Sequence, residues 1–133
     1  DNKCLLNIEL KGQDTANEAS RLIQFFIDKK GWEYNKIMVS SFQKDLLETV
    51  HKINDKIPLA VLTERNIDTA VNFAKTIKAV AIHVDYTMLT LEIVEELKKD
   101  YKVFAYTVNN LNPIERIKSY GVDGMISDFP DRL

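Results

Sequence analysis

The chain has 133 residues, 45% hydrophobic and 29% charged, with 18 basic against 20 acidic side chains and a formal net charge of -2. Apolar residues spread along its whole length exclude a disordered chain, and no apolar run nears the roughly 20 residues of a membrane-spanning helix. Charges of both signs are interspersed with no basic stripe, so neither nucleic acid nor a membrane surface is an expected partner.

In chain order, Leu5 to Leu10 reads as a strand. Thr15 to Lys29 carries helical spacing through Ala19, Leu22, Ile23, Phe26 and Ile27, and Gly31 supplies a C-terminal glycine. Asp14-Thr15-Ala16-Asn17-Glu18 offers several N-caps for that helix. Ile37 to Ser41 is the next strand, then a helix from about Gln43 to Ile53. Pro58 opens strand Leu59 to Leu62, where its missing N–H does least harm. A helix over Asn66 to Thr76 follows, then strand Ala79 to Val84 and an amphipathic helix over Thr90 to Lys99 with Glu-to-Lys spacing on its exposed side. Strand Val103 to Val108 leads to a helix over Pro113 to Ser119, with Asn112 as N-cap and Pro113 at the first helical position. Gly121 closes it, and Val122 to Ile126 is a last short strand.

Six strands thus alternate with five helices, which predicts a parallel sheet with right-handed crossovers. An open doubly wound sheet and a piece of a (β/α)₈ barrel both fit, and length alone favours the former, since a complete barrel takes about 250 residues. Side-chain alternation argues for the barrel. Leu6, Ile8 and Leu10 share one face of the first strand, while Asn7, Glu9 and Lys11 share the other. Strand Ala79 to Asp85 repeats this, with Val80, Ile82 and Val84 against Ala81, His83 and Asp85. A central strand of a doubly wound sheet is apolar on both faces because helices cover both. One apolar face and one polar face, with polar residues gathering at the strands' C-terminal ends, predict a partial (β/α)₈ barrel of the α/β class.

Glu9 and Lys11 point the same way, about 6 to 7 Å apart along the strand. The carboxylate could ligate a hard divalent cation and the ammonium could neutralise phosphate charge; a salt-bridged pair closing a barrel end is the alternative. His51, within a helix, is expected to face solvent or the helix layer. His83, near the end of a strand, shares a face with Asp85; a buried imidazole satisfied by Asp85 or by a carbonyl is the expectation, with direct substrate contact the alternative. Asp128 and Asp131 follow the last strand and could lie at the mouth, helix capping or a turn explaining them equally well; Trp32 is expected to pack on a neighbouring helix.

Five segments together resemble the glycerophosphodiester phosphodiesterase family. Leu6-Asn7-Ile8-Glu9-Leu10-Lys11 looks like its x-I-E-x-K strand, and Val39-Ser40-Ser41-Phe42 like its V-S-S-F strand end. Ile82-His83-Val84-Asp85 with Leu89-Thr90 resembles the segment at its sixth strand. Val103 to Asn109 resembles V-x-x-W-T-V-N with Tyr106 at the tryptophan, and Gly121 to Asp131 resembles G-V-D-G-I-I-T-D-x-P-D. The five occur in the family's order and cover essentially the whole chain.

The resemblance implies a TIM barrel that hydrolyses glycerophosphodiesters to sn-glycerol 3-phosphate and an alcohol with a divalent metal, magnesium or calcium. It implies Glu9 as a metal ligand, Lys11 on the phosphate side, and Ser41, Phe42 and Tyr106 lining the substrate mouth. The family's His-Arg-Gly strand, its Glu-x-Asp pair and its second histidine are not in these 133 residues, which correspond to the C-terminal part of the barrel from its third strand onward and lack the first two βα units. No catalytic acid or base is therefore assigned. Magnesium takes six oxygens and calcium six to eight, so Glu9 alone is not expected to hold either tightly, and the chain alone is expected to be inactive.

A six-stranded piece leaves edges at Leu5 to Leu10 and at Val122 to Ile126, which predicts self-association or pairing with a missing N-terminal part. A non-catalytic, barrel-derived binding or interaction domain is the alternative function. A receiver-like signalling domain is disfavoured, because Glu9 followed by Ser41 does not supply the acidic cluster and phosphoacceptor aspartate it needs. The chain starts at Asp1 without a signal peptide, and the single Cys4 fits a reducing, cytoplasmic compartment.

Overall fold

A computed structural model describes residues 4–133; Asp1, with which the sequence begins, lies outside them. Six strands, β1 (Leu6–Glu9), β2 (Ile37–Ser41), β3 (Leu59–Thr63), β4 (Ala81–Asp85), β5 (Lys102–Tyr106) and β6 (Gly124–Met125), alternate with five helices. These are α1 (Thr15–Lys30), α2 (Lys44–Ile53), α3 (Ile67–Thr76), α4 (Leu91–Leu97) and α5 (Leu111–Ser119). Every strand is parallel to its neighbour and the spatial order is the chain order, β1 to β6. A doubly wound sheet would reverse its order at a switch point; here each crossover moves on by one strand, as in a barrel wall.

The sheet curls. Phe42, just past β2, meets Tyr106 of β5 edge to face with ring centroids 5.8 Å apart. Three strand spacings in a flat sheet would hold those positions about 14 Å apart. The molecule is a half-barrel, and its two faces carry different cores. The larger cluster takes Ile37 and Val39, Leu59 and Val61, Ile82 and Val84, and Val103 and Ala105 from the strands, with Leu47, Ala74, Val94 and Ile117 from the helices. The alternate strand positions Met38, Ala60 and Ala81, with Phe104 beside them, form a small second cluster to which no described helix residue contributes. Helices cover the convex face, and the concave face is the barrel interior that the alternation predicts.

Local chemistry sets the element ends. Asn66 caps α3, its side chain accepting the Thr69 N–H at 2.8 Å, and Thr90 caps α4 by accepting the Ile93 N–H. Gly31 ends α1 at φ 68, a left-handed value that favours glycine. Several element ends differ from expectation, three of them with an identifiable local cause or consequence. Asp14 holds the N-cap position of α1 without a side-chain cap, and the Thr15 hydroxyl bonds the Gly12 carbonyl at 2.7 Å instead. Helix α5 begins at Leu111, with Asn110 rather than Asn112 at the cap and Pro113 as the third helical residue. All first-turn N–H groups lack intrahelical partners, so proline fits there as well as at the first position. Strand β6 has two residues rather than five, although the Asp123 and Ile126 N–H groups still bond the Val103 and Ala105 carbonyls.

No helix among the described residues is long and apolar enough to cross a membrane. Trp32 packs edge-on against Phe26 of α1 at 5.9 Å.

Candidate active site at the strand C-terminal ends

The side chains singled out by sequence come from three strands that the curl draws together. Glu9 ends β1, and the Lys11 ammonium lies 3.5 Å from its carboxylate. Lys11 is 78% exposed and Glu9 30%, so the pair sits at the rim rather than in the interior. The Lys11 carbonyl accepts the Gln43 side-chain amide at 2.7 Å, which pins the backbone and leaves the ammonium free to move.

Ser41 lies on the other side of the sheet. It is fully buried, its hydroxyl donating to the Leu10 carbonyl at 2.7 Å and accepting the Gln43 N–H at 3.0 Å. The Leu10 N–H in turn donates to the Ser40 carbonyl at 2.8 Å. The residue between Glu9 and Lys11 is thus fixed from both sides, and Ser41 positions the rim from behind.

Phe42 and Tyr106 form the apolar part of the mouth. Phe42 is 44% exposed, and the Tyr106 hydroxyl donates to the Thr63 carbonyl at 2.8 Å. Burial pushes the Tyr106 phenol well above its ordinary value, and the carboxylates of Asp85, Glu64 and Glu9 push the same way. The phenol therefore stays protonated and donates a hydrogen bond. Three carboxylates around one tyrosine make this end of the barrel acidic; Glu64, immediately after β3, was missed by the sequence reading although an acidic residue next to a strand's C-terminal end was available as a signal. Asp85 is committed locally: its Oδ1 accepts both the N–H and the hydroxyl of Thr87, at 2.8 and 2.6 Å, in the turn Tyr86–Met88.

His83 departs from expectation. It is 1% exposed, and neither ring nitrogen has a hydrogen-bond partner among the described residues, so neither Asp85 nor a carbonyl satisfies it. Asp85 lies on the same face but is bonded to Thr87, and Phe104 of the next strand lies against the imidazole at 5.0 Å between centroids. Burial lowers the His83 pKa to about 4, so the ring is neutral near pH 7. Ser40 Oγ, on the same concave face, is also buried and unpartnered. Asp128 braces a turn, exchanging bonds of 2.8 and 3.0 Å with Asn109.

No group of three His, Cys, Asp or Glu side chains able to hold a metal ion occurs among the described residues. Glu9 offers one carboxylate already paired with an ammonium, which does not match the six or more oxygens of magnesium or calcium.

The sequence model of the Glycerophosphoryl diester phosphodiesterase family matches residues 1–132. A glycerophosphodiester phosphodiesterase of Bacillus altitudinis is 38% identical over 101 residues, covering 74% of this chain and 41% of that protein. One from Caldanaerobacter subterraneus is 30% identical over 137 residues, covering 100% of this chain and 55% of that protein. The chain thus spans about half the length of the curated relatives it matches. Among solved structures, a putative glycerophosphoryl diester phosphodiesterase from Silicibacter pomeroyi superposes with a TM-score of 0.81 at 21% identity, over 96% of this chain and 48% of that one. A phosphodiesterase of Oleispira antarctica, solved in complex with its product sn-glycerol-3-phosphate, gives 0.78 at 21% identity, over 96% and 53%. The structural likeness carries the fold, a TIM-barrel wall. The sequence match carries the kinship over nearly every residue, and on it the chain belongs to the glycerophosphoryl diester phosphodiesterase family.

Proposed function

We propose that this chain is the C-terminal part of a glycerophosphodiester phosphodiesterase barrel, beginning at its third strand, in an enzyme that hydrolyses glycerophosphodiesters to sn-glycerol 3-phosphate and an alcohol. The observation that carries the reading is the Glu9–Lys11 pair held at the same mouth as the Phe42–Tyr106 pair. Lys11 lies against the phosphate, where a mobile ammonium offsets anionic charge. Phe42 and Tyr106 pack on the carbon skeleton of the glycerol or the alcohol, Tyr106 presenting its ring because its hydroxyl is occupied by Thr63. Ser41 acts from beneath by holding Leu10 and Gln43. Glu9 contributes one oxygen to a magnesium or calcium site completed by residues outside this chain.

The chain alone turns over nothing, for two physical reasons. Diester hydrolysis needs a proton acceptor for water and a proton donor for the leaving alkoxide, and of the two histidines His83 is buried beneath the mouth while His51 lies on helix α2. The carboxylates needed for tight metal binding are also absent from its described residues. The test is hydrolysis of glycerophosphoethanolamine with magnesium, calcium and chelator, the intact mass being confirmed in the same sample. The expected result is no turnover from the chain alone. Metal-dependent turnover would overturn the inactivity, and the same assay on the chain joined to an upstream segment carrying His-Arg-Gly and Glu-x-Asp tests the activity itself. No hydrolysis there, with metal bound, would favour a non-catalytic binding domain.

A further inference from the structure

The concave face carries two polar side chains that the proposed chemistry does not use. Ser40 and His83 are 0% and 1% exposed, and Ser40 Oγ, His83 Nδ1 and His83 Nε2 are all buried without a hydrogen-bond partner. Leaving such groups unpaired costs roughly 1 to 3 kcal/mol each, so three together on one face ask for an occupant.

Their relative placement follows from the register. Ser40 pairs with Ala60, and Ala60 with Ala81, so the β4 position level with Ser40 is Ala81, and His83 lies two residues beyond it. A barrel with as many steps of shear as strands advances one residue per strand, so inward positions on alternate strands that differ by two in register share a layer. Ser40 and His83 therefore belong to one layer. By the same rule Glu9 pairs with Ser40 in register but shares its layer with Leu62 and Tyr106, one step nearer the mouth. Between Ser40 and His83 on this face lie the methyl groups of Ala60 and Ala81, with Leu62, the register partner of His83, on the mouth side.

We propose that Ser40 and His83 form a hydroxyl-recognising subsite one layer beneath Glu9 and Tyr106, which takes a free hydroxyl of a glycerol moiety. The chemistry selects the ligand. A neutral imidazole presents one N–H donor and one nitrogen acceptor, and the serine hydroxyl can do either. That set matches an alcohol, which donates and accepts without charge, and mismatches a phosphate, whose negative charge favours a cation that neither side chain supplies. The inference rests on the glycerophosphodiester reading and adds to it the residues that read the glycerol end.

The chain holds two histidines, His51 on α2 and His83, so a sample labelled with nitrogen-15 histidine reports on both rings separately by NMR. Titrations use glycerol, inorganic phosphate and sn-glycerol 3-phosphate. Glycerol and sn-glycerol 3-phosphate are expected to shift the His83 ring nitrogens saturably, phosphate is expected to leave them in place, and His51 serves as the unmoved control. In Ser40→Ala the half-saturation concentration rises about tenfold, the loss of one hydrogen bond; the wild-type titration decides the matter by itself should that variant not fold. If, in a second sample labelled uniformly with nitrogen-15, sn-glycerol 3-phosphate moves the Tyr106 or Lys11 amide signals while the His83 ring stays fixed, the subsite is wrong and the functional reading stands. A His83 response to phosphate equal to that with glycerol also overturns the subsite, as does silence of His83 with every titrant, while the functional reading is decided separately by the hydrolysis assay on the chain joined to an upstream segment.

Discussion

Acid should destabilise this protein through His83 before its carboxylates titrate. Burial holds the folded-state imidazole near pKa 4 against an ordinary 6.5, so between those values the unfolded chain takes up a proton that the folded chain refuses. Stability contributed by the neutral ring is complete above about pH 6.5, falls as pH drops through 6, and is lost by about pH 4. The gap corresponds to roughly 3 kcal/mol at its limit, with about 1 kcal/mol gone by pH 5.5. That is a large part of the stability of an ordinary domain. Urea unfolding of the wild type and of His83→Gln at intervals from pH 7.5 to 4.5 reads the difference directly, because the carboxylates common to both proteins cancel. The wild type should lose about 2 to 3 kcal/mol more than the variant over that range. Parallel curves for the two proteins would refute the reasoning and mean that the ring is hydrated or hydrogen-bonded in solution.

Three other perturbations follow from the same geometry. A Cβ at Gly124 would lie 2.7 Å from Cδ1 and Cε1 of Phe104, so Gly124→Ala should cost about 1 to 3 kcal/mol by urea midpoint, and an unchanged midpoint would show that the ring moves freely. Ser41→Ala strips the Leu10 carbonyl and the Gln43 N–H of their partner; a loss of about 1 to 3 kcal/mol with faster amide exchange at Gln43 is expected, and wild-type exchange there would remove Ser41 from its positioning role. Of the five tyrosines, Tyr106 should ionise last in an ultraviolet alkaline titration, so Tyr106→Phe should delete the step at highest pH; loss of an earlier step would contradict its burial among carboxylates.

Much of this was legible in the sequence because it depends on neighbours along the chain. The two-residue period of Leu6, Ile8 and Leu10 against Asn7, Glu9 and Lys11 separates convex from concave face without any knowledge of other strands. Asn66 and Thr90 cap helices by bonding amides three residues on, and Gly31 ends one by its own backbone freedom. Lys11 follows Glu9 by two residues, just past the end of β1, so the proximity of the pair is local as well.

What the sequence did not reveal depends on contacts between distant segments. The orientation of Ser41 away from the mouth follows from the strand's alternation, but its partners Leu10 and Gln43 come from the β1–β2 pairing and the turn after β2. A histidine beside an aspartate two residues away suggests a bonded pair; Thr87 claims that aspartate first, and the packing of Phe104 encloses the ring without offering a donor or acceptor. Tyr106 reaches the Thr63 carbonyl across two strands, and Phe42 reaches Tyr106 across three, because the sheet curls. Local periodicity sets which face each side chain takes. Register and curvature decide which side chains share a layer, and here they bring Glu9 toward Tyr106 and leave Ser40 and His83 together beneath them.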